Sequence, residues 1–103
     1  MLEAADGRWY HGVNVESAAL PAGLCAERAA LGAAVTDGQR ELRTLAVAGP
    51  GARPLAPCGV CRQALVEFGT DVVVLGAGAE GASARWRLAD LLPEAVGPTT
   101  LER

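Results

Sequence analysis

Residues 42–75, LRTLAVAGPGARPLAPCGVCRQALVEFGTDVVVL, decide the fold class. Residues 42–48 form a short apolar run of strand character, and residues 49–54 form a loop broken by glycine and proline. Pro57 suits the opening of a helix, because the N–H it lacks would find no partner in a first turn. Residues 58–68 therefore read as a helix, and Gly69 stops it. Val72-Val73-Val74-Leu75 is a candidate for a buried strand. Strand, helix and strand in succession point to an α/β layered fold.

The same alternation extends to either side. Asp6-Gly7 reads as a hairpin turn. Residues 8–15, with aromatic and β-branched side chains, read as a strand. Residues 17–23 form a loop interrupted by Pro21 and Gly23, and residues 25–35, rich in Ala, Leu, Glu and Arg, read as a helix ended by Asp37-Gly38. Towards the C-terminus, residues 76–83 are a turn, 85–88 a strand and 89–95 a short helix. The tail 97–103 reads as frayed. There is no internal repeat, and 103 residues suit a single domain spanning 1–103.

Composition narrows the functional classes. Net charge is −3 and all nine basic residues are scattered arginines, so there is no basic stripe and nucleic acid is not an expected partner. No apolar run approaches the roughly 20 residues that cross a membrane. The start, Met1-Leu2-Glu3-Ala4-Ala5-Asp6, is acidic and does not read as a signal peptide, which points to the cytoplasm. Three cysteines are an odd number for a disulfide framework and a suitable number for metal chemistry. Half of the residues are hydrophobic but few are large, so the core offers little apolar area and gains from metal binding or oligomer contacts.

Cys58-Gly59-Val60-Cys61 places two cysteines in one helical turn, on one face, where the positive end of the helix dipole favours thiolates. Alone, such a pair fits metal binding, redox pairing or inert cysteines. Cys25 adds a third thiol at a second helix start. Three protein ligands are the count of an open, catalytic zinc site rather than a closed structural one. His11 lies mid-strand between Tyr10 and Gly12 and reads as a surface or edge position rather than a fourth ligand. Glu27 is a candidate proton shuttle beside such a metal, against the ordinary reading of a solvated helix glutamate. Residues two apart on a helix point in nearly opposite directions. Cys25 must therefore sit at the cap, with non-helical angles, for both to reach one pocket. Arg28, three residues from Cys25, can offset the excess negative charge of three thiolates.

Cys25-Ala26-Glu27-Arg28 followed by Pro57-Cys58-Gly59-Val60-Cys61-Arg62-Gln63 resembles the signature of the three-cysteine, zinc-dependent cytidine deaminases, a ligand, one residue, Glu and then P-C-x-x-C. Asn14-Val15-Glu16, Glu67-Phe68-Gly69 and Leu91-Leu92-Pro93 extend the resemblance over roughly residues 5–96. It implies a three-layer αβα fold with a mixed central sheet, Zn²⁺ held by Cys25, Cys58 and Cys61, and hydrolytic deamination of a pyrimidine nucleoside at C4. Glu27 would then move protons from water to N3 and to the departing ammonia. Asn14 and Glu16 would bind ribose hydroxyls, the Ala26 backbone would contact the base, Arg28 would stand behind the ligands, and the protein would be a homotetramer.

The chain also departs from the family pattern. Only Met1 to Ala5 precede the Asp6-Gly7 turn, where the resemblance would place a helix and a full strand; an open pocket and an exposed sheet edge are the expected consequences. Leu20-Pro21-Ala22 replaces a tyrosine-glycine pair, Val96 an aromatic residue, and Ala56 a serine. These changes bear on the substrate rather than on the metal. The alternatives are a deaminase of a modified cytosine nucleoside such as blasticidin S, or a truncated zinc-binding domain without activity. The loop length before Cys25 and the acid at Glu16 favour a ribose reader.

Overall fold

The computed structural model describes residues 1–98. The elements in chain order are β1 (Leu2–Ala4), β2 (Trp9–Tyr10), α1 (Ala26–Thr36), β3 (Leu42–Ala48), α2 (Gly59–Val66), β4 (Val73–Ala77), β5 (Ser83–Arg87) and α3 (Leu88–Leu91). The strands form one mixed sheet in the order β2-β1-β3-β4-β5. Only β3 and β4 run parallel, joined through α2, so the strand–helix–strand unit of residues 42–75 is the pivot of the α/β fold. β1 pairs antiparallel with both β2 and β3, which makes it an interior strand and leaves β2 and β5 at the edges.

Side-chain alternation explains the packing. Leu2, Leu45 and Val74 occupy one register row across β1, β3 and β4, and all three are fully buried. Leu42 and Leu45 lie three apart and would face opposite sides of a regular strand. Both are buried because the β1–β3 register slips by one residue at Arg43. Against this face α1 lays a stripe of Glu27, Ala30, Leu31 and Ala34, and α2 lays Cys61, Leu65 and Val66. The small alanines let α1 lie close to the sheet. The opposite face carries Ala46 and Leu75, the latter 39% exposed.

Several sequence expectations shift. The strand expected over 8–15 stops at Tyr10, and Val15 forms only an isolated bridge to Leu24. The chain leaves the sheet there because Gly12 crosses the first turn of α1; a Cβ at Gly12 would lie 2.1 Å from the Ala26 carbonyl oxygen. Pro57 is not the first helical residue. Cys58 takes that boundary with extended angles (φ −66°, ψ 167°), and Pro57, fully buried, precedes it. α2 ends at Val66, and α3 is one turn rather than two. The expected frayed tail falls mostly on residues 99–103, outside the described residues; Gly97 itself is buried. No helix among the described residues is long and apolar enough to cross a membrane.

Candidate metal centre

The three cysteines converge. Their sulfurs all lie within 4.8 Å of one another, with Cys25 to Cys58 at 3.9 Å and Cys58 to Cys61 at 3.4 Å. A tetrahedral zinc with bonds of about 2.3 Å sets its sulfurs roughly 3.8 Å apart, so the cluster is already close to the size of that ion's shell. Three soft thiolates are a donor set that suits zinc, and three rather than four leave one coordination position for water or substrate.

Local structure accounts for the convergence. Cys25 is the N-cap of α1 with φ −70° and ψ 149°, the non-helical geometry that a shared pocket for Cys25 and Glu27 demands. Cys58 is the N-cap of α2, and Cys61, one turn on, lies on that helix's buried stripe with no exposed surface. The loop between β3 and α2 is tied to the sheet by Gly49 N–H to Ala77 O (3.2 Å) and Ala79 N–H to Gly51 O (2.8 Å), which delivers Cys58 to the cluster. Arg62 then ties α2 to its surroundings: Nε donates to Pro57 O at 2.7 Å and a terminal nitrogen to Leu91 O at 2.9 Å.

The electrostatics differ from sulfur to sulfur. The Cys61 backbone beside the Cys58 sulfur lowers that thiol below its ordinary value, with smaller contributions from the Cys61 and Cys25 thiols and the Val60 backbone, while partial burial opposes them. Burial pushes the Cys61 thiol well up, reinforced by the Cys58 sulfur and by Glu27. A cation at the centre of the cluster reverses that second effect, since a coordinating thiol is deprotonated outright. An Arg28 terminal nitrogen sits 3.7 Å from the Cys25 sulfur, and its guanidinium, held above its ordinary value, also faces Cys61. Arg28 Nε is buried without a hydrogen-bond partner among the described residues.

Glu27 begins the buried stripe of α1 and is only 9% exposed, an unusual place for a carboxylate. It lines a cavity of about 700 Å³ together with Asn14, Cys25, Ala26, Cys58 and Leu55. Asn14 also borders an adjoining groove of about 410 Å³, where Glu16, Leu20 and Arg28 lie. The structure thus brings Cys25, Cys58, Glu27, Ala26 and Asn14 to the main cavity, with Cys61 buried behind its wall in the sulfur cluster, while Glu16 faces only the groove. His11 is exposed and outside the sulfur cluster. Two features had no reading in the sequence. Asn14 Oδ1 accepts the Ala26 N–H at 2.8 Å, and Gly12 allows the close approach behind it. An isolated glycine within a strand-like run was the available signal for the second.

Residues 1–77 match the family model for the cytidine and deoxycytidylate deaminase zinc-binding region. A cytidine deaminase of Sporosarcina psychrophila is 48% identical over 67 residues, covering 65% of this chain and 49% of that protein. The crystal structure of a cytidine deaminase from Burkholderia pseudomallei matches with a TM-score of 0.87 and 39% identity, over 92% of this chain and 77% of that one. A blasticidin-S deaminase of Bacillus cereus is 30% identical over 82 residues, 72% of this chain and 59% of that protein. The chain spans about half the length of the first cytidine deaminases it matches.

Proposed function

The chain belongs to the cytidine and deoxycytidylate deaminase family, and from that premise we propose that it hydrolyses cytidine or deoxycytidine to uridine or deoxyuridine with release of ammonia. The observation that supports this most directly is a cluster of three sulfurs, two of them lining the same cavity as the buried carboxylate of Glu27. Cys25, Cys58 and Cys61 would hold zinc, which when bound supplies a Lewis acid that brings the pKa of water down toward about 7.

The remaining work falls to the chain's own residues. Glu27 takes a proton from the attacking water, passes one to N3 of the pyrimidine and delivers another to the departing ammonia, so that water and cytidine become uridine and ammonia in balance. Its buried position keeps the carboxylate within the cavity and away from bulk solvent. Arg28 offsets part of the charge of three thiolates. The Ala26 backbone is the proposed contact to the base, whose carbonyl shares a donor already used by Asn14. With its Oδ1 turned to the Ala26 N–H, Asn14 offers its amide N–H donors outward, whereas an ionised Glu16 offers only acceptors. A ribose hydroxyl, which both accepts and donates, satisfies the two together.

The same reading places the reaction in pyrimidine nucleoside salvage in the cytoplasm, where a reducing environment keeps three free cysteines available. It also includes a homotetramer. Val13, Val15 and Leu20 are 73%, 52% and 84% exposed along one segment, apolar surface of the kind that marks contacts.

A second reading, deamination of a modified cytosine nucleoside such as blasticidin S, is favoured by the likeness to the Bacillus cereus enzyme. Ammonia release by the zinc-loaded protein, measured side by side with cytidine and blasticidin S, separates the possibilities. Turnover of cytidine is the expected result. Turnover of blasticidin S alone would establish the second reading, and zinc binding with neither activity would leave a metal-binding domain.

A further inference from the structure

We propose that Asn14 is a positioning residue for the metal centre: its side-chain carbonyl fixes the peptide that enters α1, and with it Cys25 and Glu27 on either side of Ala26. The proposal rests on the zinc-deaminase reading above and adds to Asn14 a task separate from any contact with sugar.

The first N–H groups of a helix have no partner within it, and an N-cap side chain normally supplies one. At α1 the N-cap is Cys25, whose sulfur instead faces Cys58 at 3.9 Å and Arg28 at 3.7 Å. The Ala26 N–H is satisfied from outside the helix, by Asn14 Oδ1 at 2.8 Å. The geometry around this bond is closely held. Val15 and Leu24, the residues next to Asn14 and Cys25, exchange two backbone hydrogen bonds of 2.8 Å each. On the other side, Gly12 lies so close to α1 that a Cβ there would come within 2.1 Å of Ala26 O and 2.6 Å of Ala30 N. Residues 12–15 are thus fastened to residues 24–26 at three successive points, with Asn14 in the middle.

Groups that orient metal ligands from behind typically contribute about 10–100-fold to metal affinity. The two functions of Asn14 use different atoms, and two variants separate them. Asn14→Asp keeps an acceptor at Oδ1 and loses the amide donors; its charge also sits favourably at a helix N-terminus. Asn14→Ala loses both. In competition with a zinc chelator, Asn14→Ala should bind zinc at least about tenfold more weakly than wild type, and Asn14→Asp within about threefold of it. In the cobalt-substituted proteins the visible absorption of Asn14→Asp should superimpose on that of wild type, and that of Asn14→Ala should not. KM for cytidine should rise in both variants.

Circular dichroism checks folding. Should the alanine variant fail that check, Asn14→Ser, whose shorter side chain stops short of the Ala26 N–H, takes its place under the same threshold. Zinc affinity in the acceptor-less variant within about threefold of wild type would overturn the proposal, since that lies below what an orienting partner contributes. A wild-type chain that binds no zinc overturns the metal reading itself, and the Asn14 proposal with it.

Discussion

The starts of α1 and α2 deliver ligands to the same point by different means. Each helix is N-capped by a cysteine with extended backbone angles, Cys25 at φ −70°, ψ 149° and Cys58 at φ −66°, ψ 167°. In α2 the influence is local: the Cys58 side chain accepts no cap hydrogen bond, but the backbone of Cys61 and, less, of Val60 lowers its thiol, so the second cysteine of the turn helps to prepare the first. In α1 there is one cysteine, its sulfur is turned toward Arg28 and Cys58, and the free N–H of Ala26 is met by Asn14, twelve residues upstream. One half of the centre is thus built by a four-residue motif, and the other half requires the folded chain around it.

The helices also differ two residues past the cap. Glu27 is 9% exposed and Val60 is 61% exposed, although they occupy the same helical position. The stripe of α1 that packs on the sheet begins at Glu27, whereas that of α2 begins one residue later, at Cys61. The largest predicted effect follows from this contrast. Glu27→Gln should keep its zinc and lose turnover by about 10²–10⁴-fold, the range for a positioned acid–base group. Val60→Ala, a surface change, should stay within about 0.5 kcal/mol of wild type, roughly a factor of two in rate. Steady-state kinetics and metal analysis of the two variants test it. A Glu27→Gln enzyme within about tenfold of wild type would contradict the proton-shuttle role, and a matching loss in Val60→Ala would erase the contrast.

The contrast also separates what was legible in the sequence from what was not. The C-x-x-C turn, the helix following Cys25 and the need for Cys25 to stand at a cap all follow from spacing within one element. The bounds of β3, Leu42–Ala48, coincide with the apolar run. What spacing could not show arises between elements. Residues 8–15 have strand character, yet packing of Gly12 against α1 outweighs that propensity after Tyr10. The common burial of Leu42 and Leu45 depends on a register slip against β1. Asn14 stands out as polar, but only the folded chain brings its carbonyl to the Ala26 N–H.

A substitution at Gly12 attacks the half of the centre that depends on this packing. A Cβ there meets two backbone atoms of α1, which cannot swing aside as a side chain would. Gly12→Ala should therefore cost about 1–3 kcal/mol, the range for overpacking. For a chain of this size that is a fall in Tm of roughly 4–8 °C per kcal/mol. Displacing the first turn of α1 should weaken zinc binding as well. Thermal unfolding with and without added zinc measures both effects. An unchanged Tm would mean that α1 yields freely, and that residues 12–15 do not grip it.

The corresponding change in α2 should have the smallest effect, and the opposite sign. Gly59 is the first residue of that helix, and a Cβ there would meet nothing within 4 Å. Its φ lies outside the left-handed region, so alanine fits the backbone without strain. The substitution then acts mainly on the unfolded chain, which loses conformational freedom, and Gly→Ala at a compatible position typically adds about 0.4–1 kcal/mol. The surroundings of the Cys58 sulfur are untouched, because the backbone groups that lower its thiol belong to Cys61 and Val60. Gly59→Ala should raise Tm by a few degrees, on the order of 4–8 °C per kcal/mol, and leave zinc affinity as in wild type. A loss of stability or of zinc at Gly59 would show that the first turn of α2 is held from outside as tightly as that of α1. The distinction between a locally built and a tertiary-built half of the centre would then fail.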